Sequence, residues 1–157
     1  MNYYDEIAPH YDSFRKEEQL EKARFVKTLL NPKKEDTILD VGCGTGISMS
    51  LFDSHVYGID PSEKMLKHNP FPSEQGKAEE LPFPDNSFDY VISITAAQNF
   101  SDVEKAVKEI KRVTKKAAVI TILSKSKKLP KLRDALSNYF TQVDEYQLKI
   151  DTVFYCV

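Results

Sequence analysis

The stretch Ile38-Leu39-Asp40-Val41-Gly42-Cys43-Gly44-Thr45-Gly46 decides how this chain folds. Its apolar run predicts a buried strand, and its glycines permit a tight turn with close approach of backbone to a ligand. The residues after them open a helix, expected over about Ile47 to Phe52. A second apolar segment, Val56-Tyr57-Gly58-Ile59-Asp60, ends on an acid. A glycine turn after one strand, with a carboxylate closing the next, is how an open parallel α/β sheet holds a nucleoside-type cofactor. The acid is suited to both ribose hydroxyls, and the glycines leave room for the rest.

The glycine spacing narrows the cofactor. The dinucleotide fingerprint is G-x-G-x-x-G, with pyrophosphate resting on a helix N-terminus. Here Gly42, Gly44 and Gly46 give G-x-G-x-G, and Ile47 stands where the third dinucleotide glycine belongs. Asp40 lies just ahead of them. An acid there repels a pyrophosphate but suits a cationic amino group. The pattern therefore favours a cofactor carrying an ammonium and a sulfonium over one carrying phosphates, and argues against a nicotinamide-linked oxidoreductase.

Outward from this segment, helical and extended patterns alternate. Leu20, Ala23, Val26 and Leu30 form an apolar stripe within a helix over 14–30, which Asn31-Pro32 ends. Strands are expected at 37–41, 55–59, 88–94 and 117–123, with a weak one before Gly76. Pro61-Ser62 starts a short helix through Met65 and Leu66, with Ser62 as N-cap. Ser101-Asp102-Val103-Glu104 reads as a capping box, and Val103, Ala106, Val107, Ile110 and Val113 supply the apolar face of the helix behind it. A helix over 130–139 precedes strands at 142–148 and 150–157. Strands separated by helices imply a doubly wound α/β fold, a mainly parallel sheet with helices on both faces. The last two strands lack a crossover helix between them, so that pair is expected to be antiparallel.

Composition sets outer limits. A chain of 157 residues suits one domain with a substantial core, and a formal charge of −2 creates no global field for nucleic acid or a membrane. No run of 18 apolar residues occurs, and the polar, acidic start Met1-Asn2-Tyr3-Tyr4-Asp5-Glu6 does not read as a signal peptide. Cys43 and Cys156 form no disulfide framework, so a cytoplasmic setting is expected. His10, His55 and His68 have no ligand spacing, and no metal is expected.

Four ordered motifs carry a family resemblance. Asp40-Val-Gly-Cys-Gly-Thr-Gly46 followed by Asp60-Pro-Ser-Glu-Lys-Met65 resembles the class I, seven-stranded, S-adenosylmethionine (SAM)-dependent methyltransferases. The segment Ala78-Glu79-Glu80-Leu81-Pro82-Phe83-Pro84-Asp85-Asn86-Ser87-Phe88-Asp89 and the opening Tyr4-Asp5-Glu6-Ile7-Ala8-Pro9-His10-Tyr11-Asp12 resemble the branch that includes ubiquinone- and menaquinone-type enzymes. The likeness covers about Tyr4 to Leu123.

The resemblance implies that Asp40 to Gly46, with Cys43 in the loop, holds the methionine part of SAM, the Gly42 and Gly44 backbone lying nearest. Asp60 would take the ribose hydroxyls, and Pro61 and Met65 would flank the adenine. Ala78, Glu79 and Leu81 would close the other side of the ring. Thr95 to Asn99 would line the path to the methyl acceptor. Tyr4 and Tyr11 would fold over the cofactor as a lid, or else pack as part of an N-terminal helix. The expected division of a single domain over 1–157 is a helical lid (1–30), a cofactor-binding core (36–123), and a C-terminal helix and strand pair (124–157).

Three departures stand out. Lys77 occupies the position where the family carries an acid that accepts from the adenine amino group. Thr114-Lys115-Lys116-Ala117 replaces a Pro-Gly-Gly turn. The sequence after Leu123 lacks the insertions that roof many acceptor pockets, so the acceptor site is expected to be open or completed by a partner. No catalytic triad is present. His10, Gln98 and Asn99 are the candidates for a base, needed only where the acceptor must lose a proton. The one basic cluster, Ser124-Lys-Ser-Lys-Lys-Leu-Pro-Lys-Leu-Arg133, lacks the interleaved aromatics that stack on bases, so nucleic acid is not supported. Phe71, Phe83 and Phe100 suggest an apolar pocket or a partner surface, or equally core. The expected activity is methyl transfer from SAM to a small-molecule acceptor. The alternatives are a subunit acting on tRNA or protein with a partner, a homodimer included, and a non-catalytic cofactor-binding domain.

Overall fold

The computed structural model describes residue 6 and residues 11–157, without the side chains of 11–14. Helix α1 (Tyr11–Leu30) leads to β1 (Thr37–Val41), a 3-10 turn (Ser48–Leu51) and β2 (His55–Asp60). Next come the short α2 (Glu63–Leu66), β3 (Ser73–Gln75) and β4 (Phe88–Ser93). A second 3-10 turn (Ala97–Asn99), α3 (Val103–Val113), β5 (Thr114–Leu123), α4 (Leu129–Tyr139), β6 (Val143–Leu148) and β7 (Asp151–Cys156) complete the order.

The strands form one seven-stranded sheet in the order β3-β2-β1-β4-β5-β7-β6. All pairs from β3 to β5 are parallel, and β7 runs antiparallel to both β5 and β6. This is the doubly wound sheet with the antiparallel C-terminal pair that the sequence predicts.

Alternation along the strands builds a core on each face, because successive side chains point to opposite sides. Leu39, Val91, Ala118 and Ile120 face α3 and α4, joined by Val107, Ile110, Leu132 and Leu136. Ile38, Ile92 and Val119 face the other way, where Ala23, Val26 and Leu30 of α1 cover them. The stripe read from the sequence is thus the buried face of α1, except that Leu20 is only half-buried.

Several expectations shift. The helix expected at Ile47 to Phe52 is a 3-10 turn. The few residues between Gly46 and β2 must carry the chain the length of the sheet, and a 3-10 turn rises about 2.0 Å per residue against about 1.5 Å for an α-helix. The N-cap of α3 is Asp102, whose Oδ1 accepts from the Lys105 N–H at 3.1 Å, and not Ser101. Ser101 is drawn away by Glu79, whose Oε1 accepts its N–H at 2.7 Å and its hydroxyl at 3.1 Å.

Strand β5 begins at Thr114, three positions before the expected Ala117, with no turn after α3. The Thr114 hydroxyl caps the helix end by donating to the Ile110 carbonyl at 2.6 Å. The added residues form an irregularity in the β4–β5 register, where Lys116 pairs with Asp36 at 2.8 Å. Ser62 caps α2 as expected, accepting from the Met65 N–H at 3.1 Å. Among the described residues no helix is long and apolar enough to cross a membrane.

Candidate functional site

A cleft of about 290 Å³ opens at the carboxyl ends of β1, β2 and β4. Strand order reverses between β1 and β4, the place where open α/β sheets take ligands. The loop after β1 forms its floor. Gly42 (φ 80°) and Gly46 (φ 86°) adopt left-handed backbone. A Cβ on Gly42 would stand 2.5 Å from the Ala96 Cβ, and one on Gly46 would stand 2.4 Å from Asn69 Oδ1. No other residue fits either position unstrained. The Gly42 and Cys43 N–H groups donate to the Ile59 carbonyl at 2.8 and 3.1 Å, tying the floor to β2.

Asp60 stands at the cleft wall, 8% exposed. Its Oδ2 accepts from the Gly44 N–H at 2.9 Å and its Oδ1 from the Ser62 N–H at 2.8 Å. The carboxylate is therefore oriented before any ligand arrives. Asp40, on β1, is buried behind the floor and does not reach the wall. Burial, with the nearby Asp60 charge adding to it, pushes its carboxyl up to about 8. Its Oδ2 has no hydrogen-bond partner among the described residues. A cation close by would favour its ionised form and lower that value. Burial also pushes the Cys43 thiol well above its usual range, so it is an inert wall residue and not a nucleophile.

Of the residues singled out in the sequence, Gly42, Cys43, Gly44, Asp60, Pro61, Met65, Ala78, Glu79 and Thr95 meet around this one cleft. Asp40, Gly46 and Leu81 lie behind it: Gly46 packs on Asn69 and Phe71, and Leu81 is buried in the core with its N–H donating to Glu109 at 2.9 Å. The side chain of Tyr11, and all of Tyr4 and His10, lie outside the described residues. Gln98 turns its amide to the Thr95 carbonyl at 2.7 Å and leaves the cleft to Asn99.

Lys77 does stand at the cleft, exposed. Phe100 lines it as well, while Phe83 packs edge-on between Tyr57 and Phe88 and Phe71 sits beneath Gly46. The basic cluster is partly spent within the fold, Arg133 on Glu145 at 2.8 Å and Lys128 on the Phe100 carbonyl at 2.6 Å.

Gln19 and Ile94 also line the wall, and neither is among the site residues expected from the sequence. The signal for Gln19 was present. Gln19 and Lys22 fall on the same helical face as Ala23 and Val26, so two polar residues sit on a buried stripe.

An oriented acid ending β2, a left-handed glycine floor and apolar flanks from Ile59, Met65 and Ala78 line one cleft at the switch point of an α/β sheet, with a buried acid behind the floor. The chain belongs to the methyltransferase-domain family, which matches residues 39–122. It is 36% identical over 146 residues to the demethylmenaquinone methyltransferase of Geobacillus stearothermophilus, covering 78% of this chain and 61% of that protein. The chain thus spans about three fifths of that relative's length.

Two solved structures share the fold. A chain of the Haloferax volcanii complex between the Trm112 methyltransferase activator and a candidate methyltransferase superposes with a TM-score of 0.84 at 17% identity, covering 100% of this chain and 98% of that one. A SAM-dependent methyltransferase from Thermotoga maritima gives a TM-score of 0.80 at 20% identity, with 98% and 97% covered.

Proposed function

We propose that this chain, as a single domain, binds S-adenosylmethionine in the cleft and methylates a small-molecule acceptor. The observation that carries the reading is the pre-oriented Asp60 carboxylate facing the left-handed glycine floor. Asp60 would hold the ribose hydroxyls. Gly42, Cys43 and Gly44 would lie along the methionine portion, with Asp40 behind them compensating its ammonium. Ile59, Pro61, Met65 and Ala78 would enclose the base, and Glu79 and Thr95 would close the ends. Tyr11, if it folds over this cleft, would cover it. Gly46 and Leu81 act at one remove, by shaping the floor and the base-side loop.

SAM supplies, when bound, a methyl group already activated on a sulfonium. The protein's share is then to orient the two partners and exclude water, a contribution worth roughly 7–11 kcal/mol in favourable cases. Ile94 and Phe100 supply the apolar wall for this, and Thr95 and Asn99 supply polar groups at the opening. A small acceptor is supported by the demethylmenaquinone methyltransferase name of the Geobacillus relative.

Calorimetric titration with SAM and with S-adenosylhomocysteine tests the reading, followed by a labelled-methyl screen of quinols and other small acceptors. Micromolar binding of both is expected; absence of binding by the pure chain refutes it. A partner-dependent enzyme is the second reading, favoured by the end-to-end likeness to a chain solved with an activator protein. Binding that appears only when a co-purifying protein is present would select it.

A further inference from the structure

Behind the cleft wall lies a charge network that the proposed binding role does not use. Lys22 of α1, its side chain 4% exposed, pairs at 3.0 Å with Asp151 of β7, whose side chain is fully buried. The same ammonium donates to Thr95 Oγ1 at 2.9 Å and to Glu18 Oε1 at 2.7 Å. Thr95 Oγ1 donates onward to Asp151 Oδ2 at 2.8 Å, and the Thr121 hydroxyl donates to that oxygen at 3.0 Å. The Thr95 N–H donates to Thr121 Oγ1 at 2.7 Å. Three elements of the fold, α1, β5 and β7, therefore meet on one threonine.

Thr95 is the network's only member on the cleft wall. Its φ of 51° is left-handed, a conformation that a β-branched residue holds only when its surroundings impose it. Here Lys22 and Asp151 hold its hydroxyl and Thr121 holds its N–H. The helix carrying Lys22 also brings Gln19 to the cleft, three residues earlier on the same face. Gln19 is 6% exposed, a polar side chain buried at the cleft.

We propose that Lys22 and Asp151 are positioning residues: their buried ion pair locks Thr95 in its left-handed conformation and seats Gln19 on the cleft, shaping the end that receives the transferable group. The inference rests on the proposed cofactor reading, since its probe is S-adenosylhomocysteine. A buried pair often adds little net stability and can be replaced by neutral residues of similar volume, whereas removal of one partner strands a charge. Stability and positioning can therefore be separated.

The experiment measures thermal midpoint and S-adenosylhomocysteine affinity for Lys22→Met, Asp151→Asn and the double variant. Each single variant is expected to lose both stability and affinity. The double variant is expected to recover most of the midpoint yet bind about tenfold more weakly than the wild type. Recovery of affinity together with the midpoint would overturn the proposal, because a merely structural pair predicts it.

Thr121→Val supplies a check that keeps the ion pair and lies off the cleft. It removes the acceptor of the Thr95 N–H yet leaves the Lys22–Asp151 pair and both of its contacts with the Thr95 hydroxyl. A smaller loss of affinity than the double variant's is therefore expected in a folded protein; a loss as large as the double variant's would overturn the assignment of the lock to the ion pair. A wild-type chain that fails to bind S-adenosylhomocysteine would instead remove the functional reading, and this inference with it.

Discussion

The Gly44 N–H donates to Asp60 Oδ2 at 2.9 Å, so the loop after β1 and the acid ending β2 form one unit. The same carboxylate takes the Ser62 N–H through Oδ1 at 2.8 Å, which couples it to the start of α2. The orientation of the Asp60 carboxylate is therefore set by two backbone groups.

Asp60→Ala should weaken S-adenosylhomocysteine binding by about tenfold to a hundredfold, since hydrogen bonds to a charged group are each worth roughly 1.5–3 kcal/mol. Asp60→Asn, which keeps an acceptor for the Gly44 N–H, should fall between the wild type and the alanine variant. Calorimetry reads both. An alanine variant with unchanged affinity would remove Asp60 from the ligand's reach.

Much of this arrangement was legible in the sequence because it is local. Strand, glycine turn, strand and acid follow one another, and the two strands pair in parallel with Asp40 opposite Gly58. The short α2 and its Ser62 cap were readable for the same reason. Long-range polar contacts were not. Nothing near Lys22 in sequence announces Asp151, and Glu79 displaces Ser101 from its capping role across more than twenty residues. The 3-10 turn after Gly46 reflects the distance to be spanned, which no residue preference encodes.

The buried Asp40 carboxyl makes stability depend on pH in a stated direction. Its ordinary value of 3.8 rises to about 8 in the fold through burial and then through the Asp60 charge. Between these values the folded chain holds a proton that the unfolded chain has released, so stability falls as pH rises. The ligand-free thermal midpoint should therefore drop by several degrees between pH 5 and pH 8. Asp40→Asn should remove most of that slope and stand above the wild type at pH 8. A cationic ligand beside Asp40 would favour its ionised form, so SAM should bind more tightly as pH rises over the same window. Parallel melting curves for the two proteins decide the first point, and titrations at pH 6 and 8 the second.

Arg112 fixes the base-side loop to α3. Its Nη1 donates to the Phe83 carbonyl at 2.7 Å and to Asp85 at 2.9 Å, and its Nη2 to the Leu81 carbonyl at 3.0 Å. Glu109 receives Nε at 2.8 Å and also holds the Leu81 N–H at 2.9 Å. Arg112→Met keeps the aliphatic stem and leaves two loop carbonyls without this donor, at an expected cost of about 2–3 kcal/mol. Urea unfolding measures it. Arg112→Lys should restore little, because one ammonium does not span the three directions that the guanidinium covers. A lysine variant as stable as the wild type would show that charge alone suffices.

Lys77 lines the cleft, and on the proposed cofactor reading it brings a donor to the end where an amino-bearing base would need an acceptor. Its side chain is exposed, and its backbone is fixed by the Glu80 N–H donating to its carbonyl at 3.2 Å, so a substitution should leave the loop in place. Lys77→Asp supplies an acceptor, and because position 77 is exposed to water the gained bond is worth roughly 0.5–1.5 kcal/mol, less than one to a buried carboxylate, or about twofold to tenfold in affinity. Glu79 and Glu80 stand close by and oppose a third negative charge, which places the expected gain at the low end. Lys77→Asn, an acceptor without the charge, separates the two effects and should gain as much or more. S-inosylhomocysteine carries an oxo group where the adenine has its amino group, so neither variant should bind it more tightly than the wild type does. Equal gains for both ligands would mean that position 77 acts through overall charge and not through the base.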